Sequence, residues 1–263
     1  MRRKNTLEPP LRIGIWNVAW KSWNRPAGRM IVERMWAHSP DVVCITEGRT
    51  AVPPAVGGYW IAASDDYGYA QDGDRRKVLM WSRNPWTDVD DVGSPRMPGG
   101  RFVAGRTETS LGDLTVLGMC VPWRDAHVRT GRRDRTSWED HAAYLEGLEE
   151  VLARRPDRRR LILAGDFNQQ VPRQRSPLSM YELLSNVTQG LAWATRGRIP
   201  GLDKPVIDHL VHTNDLVAMS VLGIPAVMDD GRSVSDHPGI LVDLGSDSTC
   251  SPSKRAARNA WSR

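Results

Sequence analysis

Short, almost unbroken apolar runs alternate along this chain with segments whose apolar residues recur at helical spacing. Leu11 to Val18, Asp41 to Thr46 and Leu161 to Ala164 are runs of the first kind. Their length leaves no room for a polar face, which predicts strands covered on both sides. Between the first two, Gly28 to His38 places Met30, Ile31, Met35 and Trp36 at helical spacing, with Glu33 and Arg34 as polar neighbours and Pro40 as the stop. Strand, helix, strand in that order predicts a βαβ opening. Helical spacing is strongest over Thr136 to Leu152, in Trp138, His141, Tyr144, Leu145, Leu148, Val151 and Leu152. Thr136 with Glu139 predicts a capping box at its start. A short helix is expected at Leu178 to Leu184.

The middle of the chain has a different rhythm. Tyr59 to Ala63, Val78 to Ser82, Arg101 to Thr109 and Leu114 to Val121 are short runs separated by Gly, Pro and Asp, which predicts a mostly antiparallel set. Pro122 to Arg135 is an arginine-rich loop. Val206 to His212, Leu216 to Leu222 and Ile240 to Leu244 supply late strands. No repeat of fixed period is present. Two stacked sheets with helices outside bury these faces most simply, in one domain over residues 11–244. Residues 1–10 read as a flexible basic arm. Residues 245–263, rich in Ser, Lys and Arg, read as a disordered basic tail.

Composition narrows the partner. The chain has 263 residues and a net charge of +5, and 31 of its 36 basic residues are arginine. Arginine offers a planar fork of donors that matches phosphate. Such a surface fits nucleic acid, although a general preference for arginine gives the same composition. The three cysteines form no CxxC pair, and Cys44 and Cys120 lie inside apolar runs. That argues against a disulfide framework and for a reducing, cytoplasmic location. No segment approaches the length of a membrane span, and the basic N-terminus is not followed by an apolar signal core.

Five polar motifs then stand out, each following or interrupting a predicted strand. They are Asn17 after Ile15-Trp16, Glu47 after Ile45-Thr46, Asp166 and Asn168 in Gly-Asp-Phe-Asn, Asp208 in Val-Ile-Asp-His-Leu-Val, and Asp236-His237 near the end. Any one of them reads equally well as a turn residue or a solvated carboxylate. Together they suggest one pocket. Asp166 can take a proton from water, and Asn168 can hold that water or a phosphate oxygen without adding charge. Glu47 suits Mg²⁺, which needs only one or two carboxylates. Asp208, inside an apolar strand, needs a partner. His237 is the natural one, and His209 points to the opposite face as a structural residue.

With these motifs the chain resembles the endonuclease/exonuclease/phosphatase superfamily, the group of exonuclease III-type and DNase I-type nucleases, from residue 11 to about 243. The resemblance implies a four-layered α/β/β/α sandwich of two facing mixed sheets with outer helices. It implies Asn17, Glu47 and Asp236 at the metal, Asp166 activating water, Asn168 on the phosphate, and His237 oriented by Asp208. It further implies hydrolysis of a phosphate ester with Mg²⁺ or Mn²⁺. The chain departs from the exonuclease III pattern at Ala19, where that group has an acidic residue. It departs again at Cys120-Val121-Pro122-Trp123, where that group has a Tyr. The histidine that DNase I-like members favour there has Arg124, His127 and Tyr144 as its nearest candidates.

The substrate expected from these features is nucleic acid, DNA favoured. Trp20 and Trp123 are candidates to stack on bases, and Arg124, His127, Arg132 and Arg133 are candidates to meet the backbone. A small-molecule or lipid phosphate is the alternative, since the same hydrolytic core would serve. A binding module that kept only the fold is disfavoured by the intact motifs.

Overall fold

The structure, a computed structural model, describes residues 9–51, 56–70, 73–155, 158–228 and 230–247. Most of the expected arm, Cys250 and the tail beyond residue 247 lie outside the described residues. Strands β1 (Leu11–Asn17), β2 (Val42–Arg49), β3 (Tyr59–Ala62), β4 (Arg75–Ser82), β11 (Leu216–Ile224) and β12 (Gly239–Ser246) form one sheet, in the order β11-β12-β1-β2-β4-β3. Strands β5 (Trp86–Asp90), β6 (Phe102–Thr109), β7 (Gly112–Cys120), β8 (Leu161–Asp166), β9 (Ala192–Trp193) and β10 (Asp208–His212) form the other, in the order β5-β6-β7-β8-β10-β9. Each sheet is mixed. The parallel pairs β1–β2 and β7–β8 lie at the centres, and the other pairings are antiparallel.

Three cores make four layers. Ile13, Ile15, Val42, Cys44, Val116, Ile162, Leu210 and Val242 fill the space between the sheets. Alternate residues of the same strands point outward. Trp16, Val43 and Ile45 meet Ile31 and Met35 of α1 (Pro26–Trp36) on one side. Leu117, Leu161 and Leu163 meet Tyr144, Leu145 and Leu148 of α2 (Glu139–Ala153), and Leu184 of α3 (Leu178–Val187), on the other. This explains the unbroken apolar runs: all six residues of β8 are buried, half toward each layer. Fully burying each such side chain contributes roughly 1.5–3 kcal/mol.

Some boundaries moved for physical reasons. Helix α2 begins at Glu139 rather than Thr136, and Trp138 fills the N-cap position with φ 71° and no side-chain cap. Half of the expected box forms: the Glu139 carboxylate accepts from the Thr136 N–H at 2.8 Å and its hydroxyl at 2.9 Å. Strand β12 runs to Ser246, two residues into the segment expected as a tail. Edge strands β5 and β9 left no apolar signal because neither buries a continuous face. Cys44 and Cys120 are buried free thiols. Among the described residues no helix is long and apolar enough to cross a membrane.

Candidate active site

Strand direction gathers the polar residues. Asn17 and Asp166 end β1 and β8, and Glu47 sits near the end of β2. Strand β10 runs antiparallel to β8 and starts at Asp208, so its first residue pairs with Asp166. Strand β12 runs antiparallel to β1 and starts just after His237. Carboxyl ends of parallel strands and amino ends of their antiparallel neighbours thus share one edge of the sandwich. Gly165 (φ 135°) permits the close approach of β8 to β7, since a Cβ there would lie 2.0 Å from the Met119 carbonyl oxygen. Ala19, Trp20, Glu47 and Asn168 all adopt positive φ around this edge. Left-handed non-glycine residues cost on the order of 1–3 kcal/mol each and cluster at functional sites.

Asp166 is the centre. Asn17 Nδ2 donates to its Oδ2 at 3.1 Å, and the Asn168 N–H donates to its Oδ1 at 2.8 Å. Both asparagines are held in turn: Asn17 Oδ1 accepts from the Ala19 N–H at 3.0 Å, and Asn168 Nδ2 donates to the Val121 carbonyl at 2.8 Å. Burial, reinforced by the Asp208 charge and opposed by His237, pushes the Asp166 carboxyl up to about 7. That is the range a general base needs near neutrality.

The histidine stands beside it. His237 Nδ1 donates to Asp208 Oδ2 at 2.5 Å. Burial opposes the charge on His237, but the charge and hydrogen bond of Asp208, helped by Asp166 and Asp236, outweigh it and lift the imidazole to about 10. Asp208 thus favours the charged imidazolium and takes Nδ1–H, which leaves Nε2–H for a ligand. Its loop is fastened to β1: Trp16 Nε1 donates to the His237 carbonyl at 2.9 Å, and Ser235 Oγ donates to the Asn17 carbonyl at 2.7 Å. Asp208 Oδ1 is buried without a partner.

Ligand atoms of Asp166, Asp208 and His237 lie within 4.8 Å of one another, a grouping compact enough for a metal ion. A cationic imidazole makes a poor ligand, so the donors that suit a hard cation here are the carboxylate oxygens. Glu47 is set somewhat apart, with Oε1 accepting from Lys77 Nζ at 2.6 Å. Asp236 is exposed at the mouth. The donor set fits a divalent cation that keeps several waters.

The flanking residues divide. Trp123, 44% exposed, and Arg124 line a cavity of about 430 Å³ with Asn168, Asp208, Asp236 and His237. Trp138 and Arg175 line it too. Trp20 lies on the Glu47 side, stacked on Tyr67 with ring centroids 5.8 Å apart. His127 does not join them. It is fully buried, with Nδ1 on Asp140 Oδ2 at 2.5 Å and Nε2 on the Tyr67 carbonyl at 3.2 Å, so it braces the loop and presents nothing to a substrate. Arg132 and Arg133 are exposed on that loop and lie outside the cavity lining. Tyr144 is buried under β6 and donates to the Arg101 carbonyl at 3.0 Å. His209, held by Thr195 Oγ1 and the Gln169 carbonyl at 2.9 Å each, is a neutral core residue that burial pushes down to about 4.

Three comparisons bear on this geometry. Residues 14–237 match the Endonuclease/Exonuclease/phosphatase family. An endonuclease/exonuclease/phosphatase from Bacteroides vulgatus superposes with a TM-score of 0.65 at 15% identity, covering 90% of this chain and 99% of that one. One from Beutenbergia cavernae gives 0.59 at 21% identity, covering 90% and 72%. A 3′ phosphatase from Neisseria, bound to a product DNA hairpin, gives 0.62 at 17% identity, covering 89% and 99%. No curated protein sequence matches the chain. The chain belongs to the Endonuclease/Exonuclease/phosphatase family. It is a phosphoric ester hydrolase of a family that depends on divalent metal.

Proposed function

We propose that the protein is a nuclease that hydrolyses phosphodiester bonds of nucleic acid, DNA favoured, with Mg²⁺ or Mn²⁺. One observation carries this reading. Asp166, steered by two asparagines, lies within 4.8 Å of His237 and Asp208, and these two line a cavity together with two indoles and two guanidiniums. Asp166 takes the proton of the attacking water. Asn17 fixes that carboxylate, and the Asn168 backbone aims it. His237 donates Nε2–H to a non-bridging phosphate oxygen, while Asp208 holds the ring in the required tautomer. Glu47 and Asp236, with Asn17 beside them, would hold the metal, which supplies positive charge to the phosphate when bound.

The cavity lining supports nucleic acid over other phosphates. Trp123 and Trp138 suit flat bases, and Arg124 and Arg175 suit flanking phosphates. The structural neighbour from Neisseria carries a DNA product, which supports the same choice. The test is turnover of single-stranded DNA, duplex DNA and RNA against inositol and nucleotide phosphates in Mg²⁺. DNA turnover with a steep fall in affinity as salt rises is expected. Arg124→Ala with Arg175→Ala should weaken DNA binding and flatten the log–log salt slope by about one per lost phosphate contact. Preference for a polyol or lipid phosphate, with no salt slope, would refute the substrate class.

A further inference from the structure

Lys77 is a nearly buried cation inside the site, and the mechanism so far does not use it. It lies on β4, between the register pairs Thr46–Val78 and Gly48–Arg76, so it faces Glu47 directly across the strands. Its side chain is 10% exposed, and Nζ lies 2.6 Å from Glu47 Oε1. The same ammonium sits 4.9 Å from the ring centroid of Trp20, 5.6 Å from that of Tyr67 and 6.0 Å from that of Tyr69. A carboxylate and three π faces around one charge make a cation pocket. Its occupant is the chain's own.

Two requirements then meet at one carboxylate. A buried ammonium must keep an anionic partner. A divalent ion on Glu47 must sit close to the same oxygens, at metal–oxygen distances near 2.1 Å for Mg²⁺. Two cations repel strongly at such range where water is largely excluded. The lysine is placed to give way, because Trp20, Tyr67 and Tyr69 continue to offer π faces once Glu47 is withdrawn. It is also placed for a second task. Through Glu47 it reaches the sheet edge where β1 and β8 end in Asn17 and Asp166.

We propose that Lys77 is a positioning residue that neutralises Glu47 before metal arrives, competes with the divalent cation for it, and once displaced faces the scissile phosphate. This inference rests on Glu47 being a metal ligand. It predicts opposite effects on two equilibria, which a purely structural lysine would not produce.

The experiment measures Mn²⁺ binding by calorimetry in the intact protein without substrate, for wild type, Lys77→Met, Lys77→Gln and Lys77→Arg. A parallel titration uses a phosphorothioate oligonucleotide at saturating Ca²⁺. Both neutral variants should bind Mn²⁺ about tenfold or more tightly and the oligonucleotide about tenfold more weakly. Lys77→Arg should stay within about threefold of wild type for both. Two neutral variants are used so that one poorly folded protein does not decide the matter, with melting curves as the check. Mn²⁺ affinity unchanged or weakened in folded neutral variants would overturn the proposal. If wild type binds no Mn²⁺ but the neutral variants do, Lys77 is confirmed as the competitor. If none of the proteins binds Mn²⁺, the assignment of Glu47 to a metal fails and takes this inference with it, while the Asp166–His237 chemistry keeps its own tests.

Discussion

Asp166→Asn is expected to lower kcat by about 10²–10⁴-fold, the range that loss of a general base produces. KM should change little, because the asparagine keeps the shape of the site. The same substitution has a distinct signature in stability. The folded pKa of Asp166 is raised from 3.8 to about 7, chiefly by burial. A group shifted upward contributes stability that is complete below the unfolded value and is lost as pH rises through the folded one. Wild type in EDTA therefore loses this contribution between about pH 4 and pH 7, and the variant does not. The melting-temperature difference should move in the variant's favour across that window and stay flat above it. A difference independent of pH would show that Asp166 is not held in a charge-disfavouring environment.

His237→Ala is expected to cost about 10²–10³-fold in kcat, the scale of losing one transition-state donor. It should also destabilise the fold by about 3–5 kcal/mol, because it strands the buried Asp208 charge. His237→Gln separates the two effects: it should restore much of the stability without restoring turnover. The His237 pKa is raised to about 10 in the folded protein, where Asp208 outweighs the opposing burial. Its stabilisation is complete below the ordinary value near 6.5 and is lost as pH climbs to about 10. In EDTA, the imidazole proton resonance of His237 should titrate far above the usual histidine range, and Asp208→Asn should bring it back down. An imidazole that titrates near 6.5 in wild type would remove the phosphate-facing cation from the mechanism.

Asn17, Glu47, Asp166 and Asp208, which meet at this edge, stand out in the sequence because each one breaks or ends an apolar run, and a strand end is where a side chain can leave the core. Asp208 was the clearest case. A carboxylate between Ile207 and Leu210 has no solvent to turn to, and the only remedy is a partner from another strand. The fold class followed from the same runs.

What stayed hidden depended on register or on loop packing. Lys77 reads as the polar flank of the Val78–Ser82 run, and only the pairing of β2 with β4 sets it against Glu47. Trp138 reads as part of a helical face, yet the helix starts one residue later and leaves the indole half-exposed in the cavity wall. His127 misled in the opposite direction. A histidine in a charged loop looks available, but Asp140 in the first turn of α2 meets it and closes it into the core. Arg132 and Arg133 share that loop, and its ties to Tyr67 and Tyr69 hold it away from the cavity beside His237.

The most direct measurement is cleavage of an end-labelled DNA oligonucleotide in ¹⁸O-enriched water, with Mg²⁺ or Mn²⁺ and with EDTA, read by mass spectrometry of the product phosphate. Water attack assisted by Asp166 predicts one heavy oxygen per cleaved bond, in the presence of metal only and strongly reduced in Asp166→Asn. Intact oligonucleotide under every metal condition, or cleavage that leaves no solvent oxygen on the phosphate, would contradict the account.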